Sequence, residues 1–165
     1  MKLAWLWGAV ALAGCGGPTY TTDQQWCDAA CATLLACGVQ GIGDQPTCSA
    51  NCQKPSDAVF LGCVKGGNPA DCNSVSTCVI KQTCNLVPGG TNSCQLTATC
   101  EANCPVGDVA CGCACVSAIN PAKARNIVLN NNCILFNCQG CTDATTCGIC
   151  IQGRCSAQAQ QCQNS

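Results

Sequence analysis

Hydrophobic side chains are spaced along this chain in short helical clusters. A polar start at Thr22 and Asp23 precedes apolar positions at Trp26 and Leu34, and Gly38 follows as a helix stop. Valine and isoleucine are scattered singly, and no stretch alternates apolar and polar residues as a half-buried strand does. The pattern therefore predicts a mainly α-helical protein built from short helices.

Capping residues and glycines predict where further helices begin and end. A predicted helix over residues 58–65 is followed by a pair of glycines. Asn68 and Asn120 each precede a proline, which is typical of an N-cap residue with proline at the first helical position. Asp143 and the Gln- and Ala-rich C-terminal segment predict two more short helices.

The first residues have the layout of a secretory signal. Lys2 precedes an apolar run over residues 3–13, which is too short to span a bilayer. The box L-A-G-C at residues 12–15 resembles the lipobox of bacterial lipoproteins, in which the cysteine sulfur takes a diacylglycerol and becomes the new N-terminus. The resemblance implies that residues 1–14 are a cleaved signal peptide and that Cys15 is lipidated.

The lipobox resemblance also implies a location. Gly16 is not Asp, the residue that retains many such lipoproteins at the inner membrane, so we expect an extracytoplasmic outer-membrane lipoprotein. Residues 15–22 then form a lipidated tether, and each buried CH₂ of its acyl chains contributes ~0.8 kcal/mol to anchoring. The membrane is therefore the first expected partner.

Cysteine content predicts how the exported part of the chain is held together. The sequence has 23 cysteines, and setting Cys15 aside leaves 22, an even number. Such density is typical of disulfide scaffolds in oxidising compartments, because cytosolic thiols are kept reduced. Large core side chains are few, since the only aromatics after the signal are Tyr20, Trp26, Phe60 and Phe136. We therefore expect a small disulfide-rich fold, stapled by about eleven disulfides.

An internal match at an offset of 52 residues divides the cysteine-rich region. Residues 48–52 and 100–104 both read C-x-A-N-C, and Cys-Val and Asn-Pro-Ala follow each at equal distances. A turn-rich segment over residues 87–93 separates the copies. We therefore predict two related helical units, at residues 23–86 and 94–165, joined by this linker.

Two C-x3-C segments in the first unit predict a stapled helical hairpin. A spacing of four residues puts both sulfurs of a segment on one helix face. Two such helices packed antiparallel can pair Cys27 with Cys52 and Cys31 with Cys48. The arrangement resembles the α-hairpinin peptides, some of which are inhibitors or antimicrobials, over residues 27–52 only.

The parity of the cysteines predicts a bridge between the units. Nine cysteines lie between the tether and residues 87–93 and thirteen follow, so full pairing requires at least one disulfide across the linker. Cys84 and Cys94 flank the linker and are the simplest pair. We expect them to form a local clasp.

A thiolate metal site is the alternative use of these cysteines. Cys138, Cys141, Cys147 and Cys150 form two C-x2-C units that could hold zinc. The C-G-C-A-C segment at residues 111–115 offers thiolates suited to Zn(II) or Cu(I). The chain has no histidine, and export favours oxidation, so we expect disulfides and no cofactor.

Composition argues against catalysis and nucleic-acid binding. Without histidine the chain can form neither a Ser-His-Asp triad nor a Cys-His pair, and several aspartates stand at predicted helix starts. Once Lys2 is removed, six basic residues stand against eight acidic ones without a basic cluster. We therefore predict that the protein is not an enzyme and binds no nucleic acid.

These observations favour a lipid-anchored protein with a structural or interaction role at the cell envelope. The spacing of its cysteines resembles that of the cysteine-rich envelope lipoproteins of certain gliding soil bacteria. This resemblance implies a location and no mechanism. The expected partner is an unknown envelope or extracellular protein. Two alternatives stay open: an inhibitor or effector that binds an extracellular protein through a loop at residues 38–46, and a thiolate metal-binding protein.

Overall fold

The structure, a computed structural model, describes residues 18–105, 107–141 and 143–165. Within these ranges it has nine α-helices, two single-turn 3-10 helices and no β-strand. The predicted signal peptide and the lipidation site Cys15 lie outside the described residues. The prediction of a small, mainly helical, disulfide-rich fold is confirmed.

The nine α-helices follow one another through short connections. In chain order they are α1 (Asp23–Ala36), α2 (Gln45–Cys52), α3 (Ala58–Lys65), α4 (Cys72–Cys84), α5 (Cys94–Ala102), α6 (Val109–Ser117), α7 (Ala124–Asn137), α8 (Ala144–Arg154) and α9 (Ser156–Gln163). The 3-10 turns Pro55–Asp57 and Pro121–Lys123 lead into α3 and α7. Among the described residues, no helix has the length and apolar character needed to cross a membrane.

Polar side chains cap most of the helix starts. Thr22 and Asp143 each form a capping box with the residue three positions further on. The predicted start at Asn68 is displaced by three residues, because Asp71 is the N-cap of α4 and accepts from the backbone N–H of Ser74 at 2.7 Å. Asn68 instead closes a turn by accepting from the N–H of Ala70 at 3.0 Å.

A single buried core runs through both predicted units. It extends from Cys27 to Cys162 along the chain, and α4 packs against α7 at its centre. Its largest fully buried side chains are aliphatic, namely Ile119, Ile127, Val64 and Val75. A smaller cluster around Cys133, Cys138 and Cys155 lies between α7 and α8. With so few large side chains, cross-links must supplement burial.

Residues 87–93, the predicted linker, pack against the segment that precedes α7. The N–H of Asn92 donates to the carbonyl of Ala118 at 3.1 Å, and its carbonyl accepts from the N–H of Asn120 at 3.0 Å. Gly90 lies so close to the backbone of Ala118 that a Cβ there would overlap it. Only glycine fits this contact, so the connection is part of the packed structure.

Candidate functional site

All 22 cysteines in the described residues form disulfides. Seven of the eleven bridges lie in three nested hairpins, where each bridge closes a loop inside the next: Cys27–Cys52 and Cys31–Cys48; Cys100–Cys115 and Cys104–Cys111; Cys133–Cys155, Cys138–Cys150 and Cys141–Cys147. The other four tie helices together: Cys37–Cys72, Cys63–Cys78, Cys84–Cys113 and Cys94–Cys162. The described part of the chain is therefore covalently linked from α1 to α9.

In the first hairpin both predicted pairs are present. Cys27 is bonded to Cys52 and Cys31 to Cys48, which packs α1 antiparallel to α2. All four residues are buried. The C-x3-C spacing was sufficient here because both partners lie on neighbouring helices.

The predicted clasp between Cys84 and Cys94 is wrong. Cys84 is bonded to Cys113 and Cys94 to Cys162. The reason is that residues 87–93 run along the segment before α7 instead of turning back, so α4 meets α6 and α5 meets α9. The parity argument itself is confirmed, since the Cys84–Cys113 bridge crosses the linker.

Matching cysteines of the two copies have different partners. The segment at residues 48–52 is bonded to α1, whereas the segment at residues 100–104 is bonded to Cys111 and Cys115 in α6. Cys111, which the first copy lacks, makes this second hairpin possible. Cys111 and Cys115 are themselves a C-x3-C pair, and this signal could have identified the hairpin from the sequence.

The cysteines considered as zinc ligands are bonded to one another. Cys138 pairs with Cys150 and Cys141 with Cys147, so none of the four offers a thiolate in this oxidised form. The sulfurs of Cys104, Cys111 and Cys115 lie within 4.8 Å of one another, but each belongs to a disulfide. A metal site at either place would require reduction first.

The loop considered as a binding element is fastened to α7. Val39 is buried, and the side chain of Asn132 makes two hydrogen bonds with the backbone of Gln40, at 2.6 and 3.0 Å. Gly41, with a φ of 78°, lies against the ring of Phe136, where a Cβ would overlap it. The centre of the loop therefore packs on the body of the protein, while Gln40 stays exposed.

A polar surface cavity of about 570 Å³, here called the α7–α9 cavity, lies between the start of α7 and the end of α9. Its lining contains two basic side chains and a set of amides, among them Lys123, Arg125, Asn126, Gln160, Gln161 and Asn164. This cavity could not be predicted from the sequence, because its two walls are more than thirty residues apart in the chain.

Local hydrogen bonds and a disulfide fix both walls of the α7–α9 cavity. Asn120 accepts from the N–H of Ala122 at 2.9 Å, which sets the turn before α7. Asn73 of α4 accepts from the backbone N–H of Arg125 at 3.1 Å. On the other wall, the Cys94–Cys162 disulfide bonds the last turn of α9 to α5.

The basic groups of the α7–α9 cavity lack acidic partners. Among the described residues the only ion pair joins Lys65 to Asp23, at 2.6 Å, on another part of the surface. The Nε atom of Arg125 is buried and has no hydrogen-bond partner among the described residues. Because this atom is closed to solvent, an anion in the cavity would contact the terminal nitrogens of the guanidinium instead.

A second cavity, on the α1–α2 hairpin, differs because its polar groups bond one another. Gln53 donates to Gln24 at 2.6 Å, and Gln24 donates to Asp28 at 2.6 Å. These groups already have partners within the protein. The α7–α9 cavity is therefore the better candidate for a ligand site.

Glu101 is the one described acid whose pKa is clearly raised. Burial between α5 and α7 raises the pKa of its carboxyl to about 7, against the opposing effect of hydrogen bonds from Asn131 at 2.8 and 3.1 Å. The sequence showed Glu101 only as the variable residue of the second C-x-A-N-C segment.

Comparison of the chain with protein-family models, curated proteins and solved structures finds no match. Its function must therefore be argued from its own residues. The features that carry such an argument are the disulfide network and the α7–α9 cavity, together with the L-A-G-C box of the sequence.

Proposed function

We propose that this protein is a lipid-anchored, extracytoplasmic protein with a structural or interaction role at the cell envelope. The observation that carries the proposal is the pairing of all 22 described cysteines, which persists only in an oxidising compartment. The L-A-G-C box supplies the anchor at Cys15, and Gly16 favours the outer membrane.

Two aromatic residues near the proposed anchor suggest which end of the protein lies closest to the membrane. Tyr20 and Trp26 follow Cys15 by 5 and 11 residues, and their half-buried rings contact each other at a tilt of 47°, with centroids 4.8 Å apart. Rings that combine an apolar body with a polar group favour the headgroup region of a bilayer. We infer that the start of α1 lies nearest the membrane.

The roles of the carboxylates support a protein without catalysis. Asp44 caps α2, and the hydrogen bond from the side chain of Thr47 lowers the pKa of its carboxyl. Asp143 caps α8, and the backbone N–H of Thr146 lowers the pKa of its carboxyl. Hydrogen bonds to a helix terminus stabilise these acids in the charged form, which suits capping rather than proton transfer.

Substitution of Cys15 tests the proposed anchor. We expect the wild-type protein to enter the detergent phase and to lack residues 1–14, whereas Cys15→Ser should remain an uncleaved or soluble precursor. Tyr20→Phe, which leaves the box intact, is the control and should behave as wild type. Unchanged cleavage and detergent partitioning in Cys15→Ser would contradict the proposed anchor.

A further inference from the structure

The α7–α9 cavity has two positive charges and, among the described residues, no acidic side chain in its lining. Lys123 and Arg125 are two residues apart, and neither has an ion-pair partner in the described part of the chain. Arg125 lies in the first turn of α7 and Lys123 directly precedes this helix, whose 14-residue dipole adds positive potential there. Together these features favour an anion.

The rest of the lining indicates what the anion is attached to. A carboxylate would occupy only a part of a cavity of about 570 Å³. The remaining wall presents the amides of Gln160, Gln161 and Asn164, which both donate and accept hydrogen bonds, as sugar hydroxyls do. None of the described residues that line the cavity is aromatic or a large aliphatic, so an apolar ligand finds no matching surface there.

We propose that the α7–α9 cavity binds an acidic saccharide, with Arg125 and Lys123 on a uronic-acid carboxylate and the amides of α9 on neighbouring hydroxyls. The planar guanidinium of Arg125 matches a carboxylate through paired N–H donors. The choice of a saccharide as the ligand rests on the proposed interaction role at the envelope. The positive charge of the cavity is an observation that does not depend on that role.

Covalent and hydrogen-bonded supports hold the cavity in place before a ligand arrives. The Cys94–Cys162 and Cys133–Cys155 disulfides hold the two ends of α9, and Asn73 holds the backbone of Arg125. Preorganised groups lose less conformational entropy on binding. The site is therefore suited to recognise a polar ligand at an exposed surface.

Calorimetric titration of the full chain, purified in detergent, tests this inference. The probes are tetragalacturonate, its carboxyl-reduced neutral form, and tetraglutamate as an acidic peptide. We expect saturable binding of tetragalacturonate alone. The variant Lys123→Gln/Arg125→Gln should weaken this binding about tenfold or more, equivalent to about 1.4 kcal/mol. The charge-matched control Lys54→Gln/Lys81→Gln, neither of which lines the cavity, should bind as wild type.

A second variant keeps the test decisive if the first does not fold, as judged by circular dichroism and by the absence of free thiols. Gln161→Glu places a negative charge on an exposed position of the lining, and should also weaken binding about tenfold. Absence of tetragalacturonate binding, equal binding of the neutral form or of tetraglutamate, or undiminished binding by the variants would overturn the inference. Calorimetry does not depend on where the cell sends the protein. Its result can therefore be interpreted even if the Cys15 experiment contradicts the lipid anchor.

Discussion

Cys84 at the end of α4 is bonded to Cys113 in α6, 29 residues further along the chain. This disulfide crosses residues 87–93 and joins the two predicted units covalently. Around it, α4 packs on α6 and α7, so the cross-link and the buried core hold the same helices together. The disulfide and the buried core both stabilise the packing of α4 on α6 and α7. The disulfide does so by restricting the unfolded chain, and the core by burying apolar side chains in the folded protein.

Removing this bridge should destabilise the protein more than removing a short one. We expect Cys84→Ala/Cys113→Ala to lower the free energy of unfolding by roughly 2–4 kcal/mol, because the bridge restricts a long loop of the unfolded chain. The matched control is Cys141→Ala/Cys147→Ala, whose bridge spans only 6 residues. Chain entropy predicts that the control loses about 1.4 kcal/mol less.

Guanidinium denaturation of both double variants under non-reducing conditions measures this difference. The remaining bridges should be verified by peptide mapping, since thiol exchange would confuse the comparison. An equal or greater loss in the short-loop variant would contradict the role assigned to Cys84–Cys113.

Gly41 should be intolerant of any side chain. Its φ of 78° is strained for other residues, and a Cβ would overlap the ring of Phe136. We expect Gly41→Ala to lower the free energy of unfolding by about 1–3 kcal/mol. Gly62→Ala is the matched control, because Gly62 lies in α3 with open space around it, and should stabilise the protein by up to about 1 kcal/mol.

Thermal or chemical denaturation of the two glycine variants measures this difference, since the free energy of unfolding should fall in Gly41→Ala and rise in Gly62→Ala. Unchanged or increased stability of Gly41→Ala would show that the contact between the loop and α7 is not as described. The same result would favour the loop at residues 38–46 as a free binding element.

Glu101 should make stability depend on pH. Its folded pKa is about 7 and its ordinary value 4.5, so between these values the unfolded chain has released the proton while the folded protein retains it. Stability from this group is therefore complete below pH 4.5 and is lost as pH rises to 7. The loss should be roughly 1–2 kcal/mol, since partial solvent exposure screens the charge.

Comparison with Glu101→Gln isolates this effect, because the amide keeps a polar side chain beside Asn131 without titrating. The free energy of unfolding of the wild type, minus that of the variant, should decrease steadily from pH 4.5 to pH 7. A difference that stays flat over this interval would show that Glu101 is not buried against α7.

The local features of the fold could be predicted from the sequence, and the distant contacts could not. Capping residues such as Thr22 and Asp143, and the first stapled hairpin, depend on residues close to one another in the chain. The partner of Cys84 depends instead on how α4 docks on α6, which short-range spacing does not determine.

The same limit applies to the candidate site. In the sequence, Lys123 and Arg125 are only two nearby basic residues, with no sign of what surrounds them. Their surroundings depend on the Cys94–Cys162 disulfide, which brings α9 beside the start of α7 from the far end of the chain. Cysteine parity could establish that such long-range bridges exist, but not which residues they join.

Intact mass spectrometry of the protein extracted from cell envelopes, before and after reduction, tests the account most directly. We predict a chain that begins at Cys15, carries an acyl-glycerol adduct, and gains about 22 hydrogens on full reduction. A chain that retains residues 1–14 without lipid, or one with two or more free thiols before reduction, would contradict a lipid-anchored protein held together by eleven disulfides.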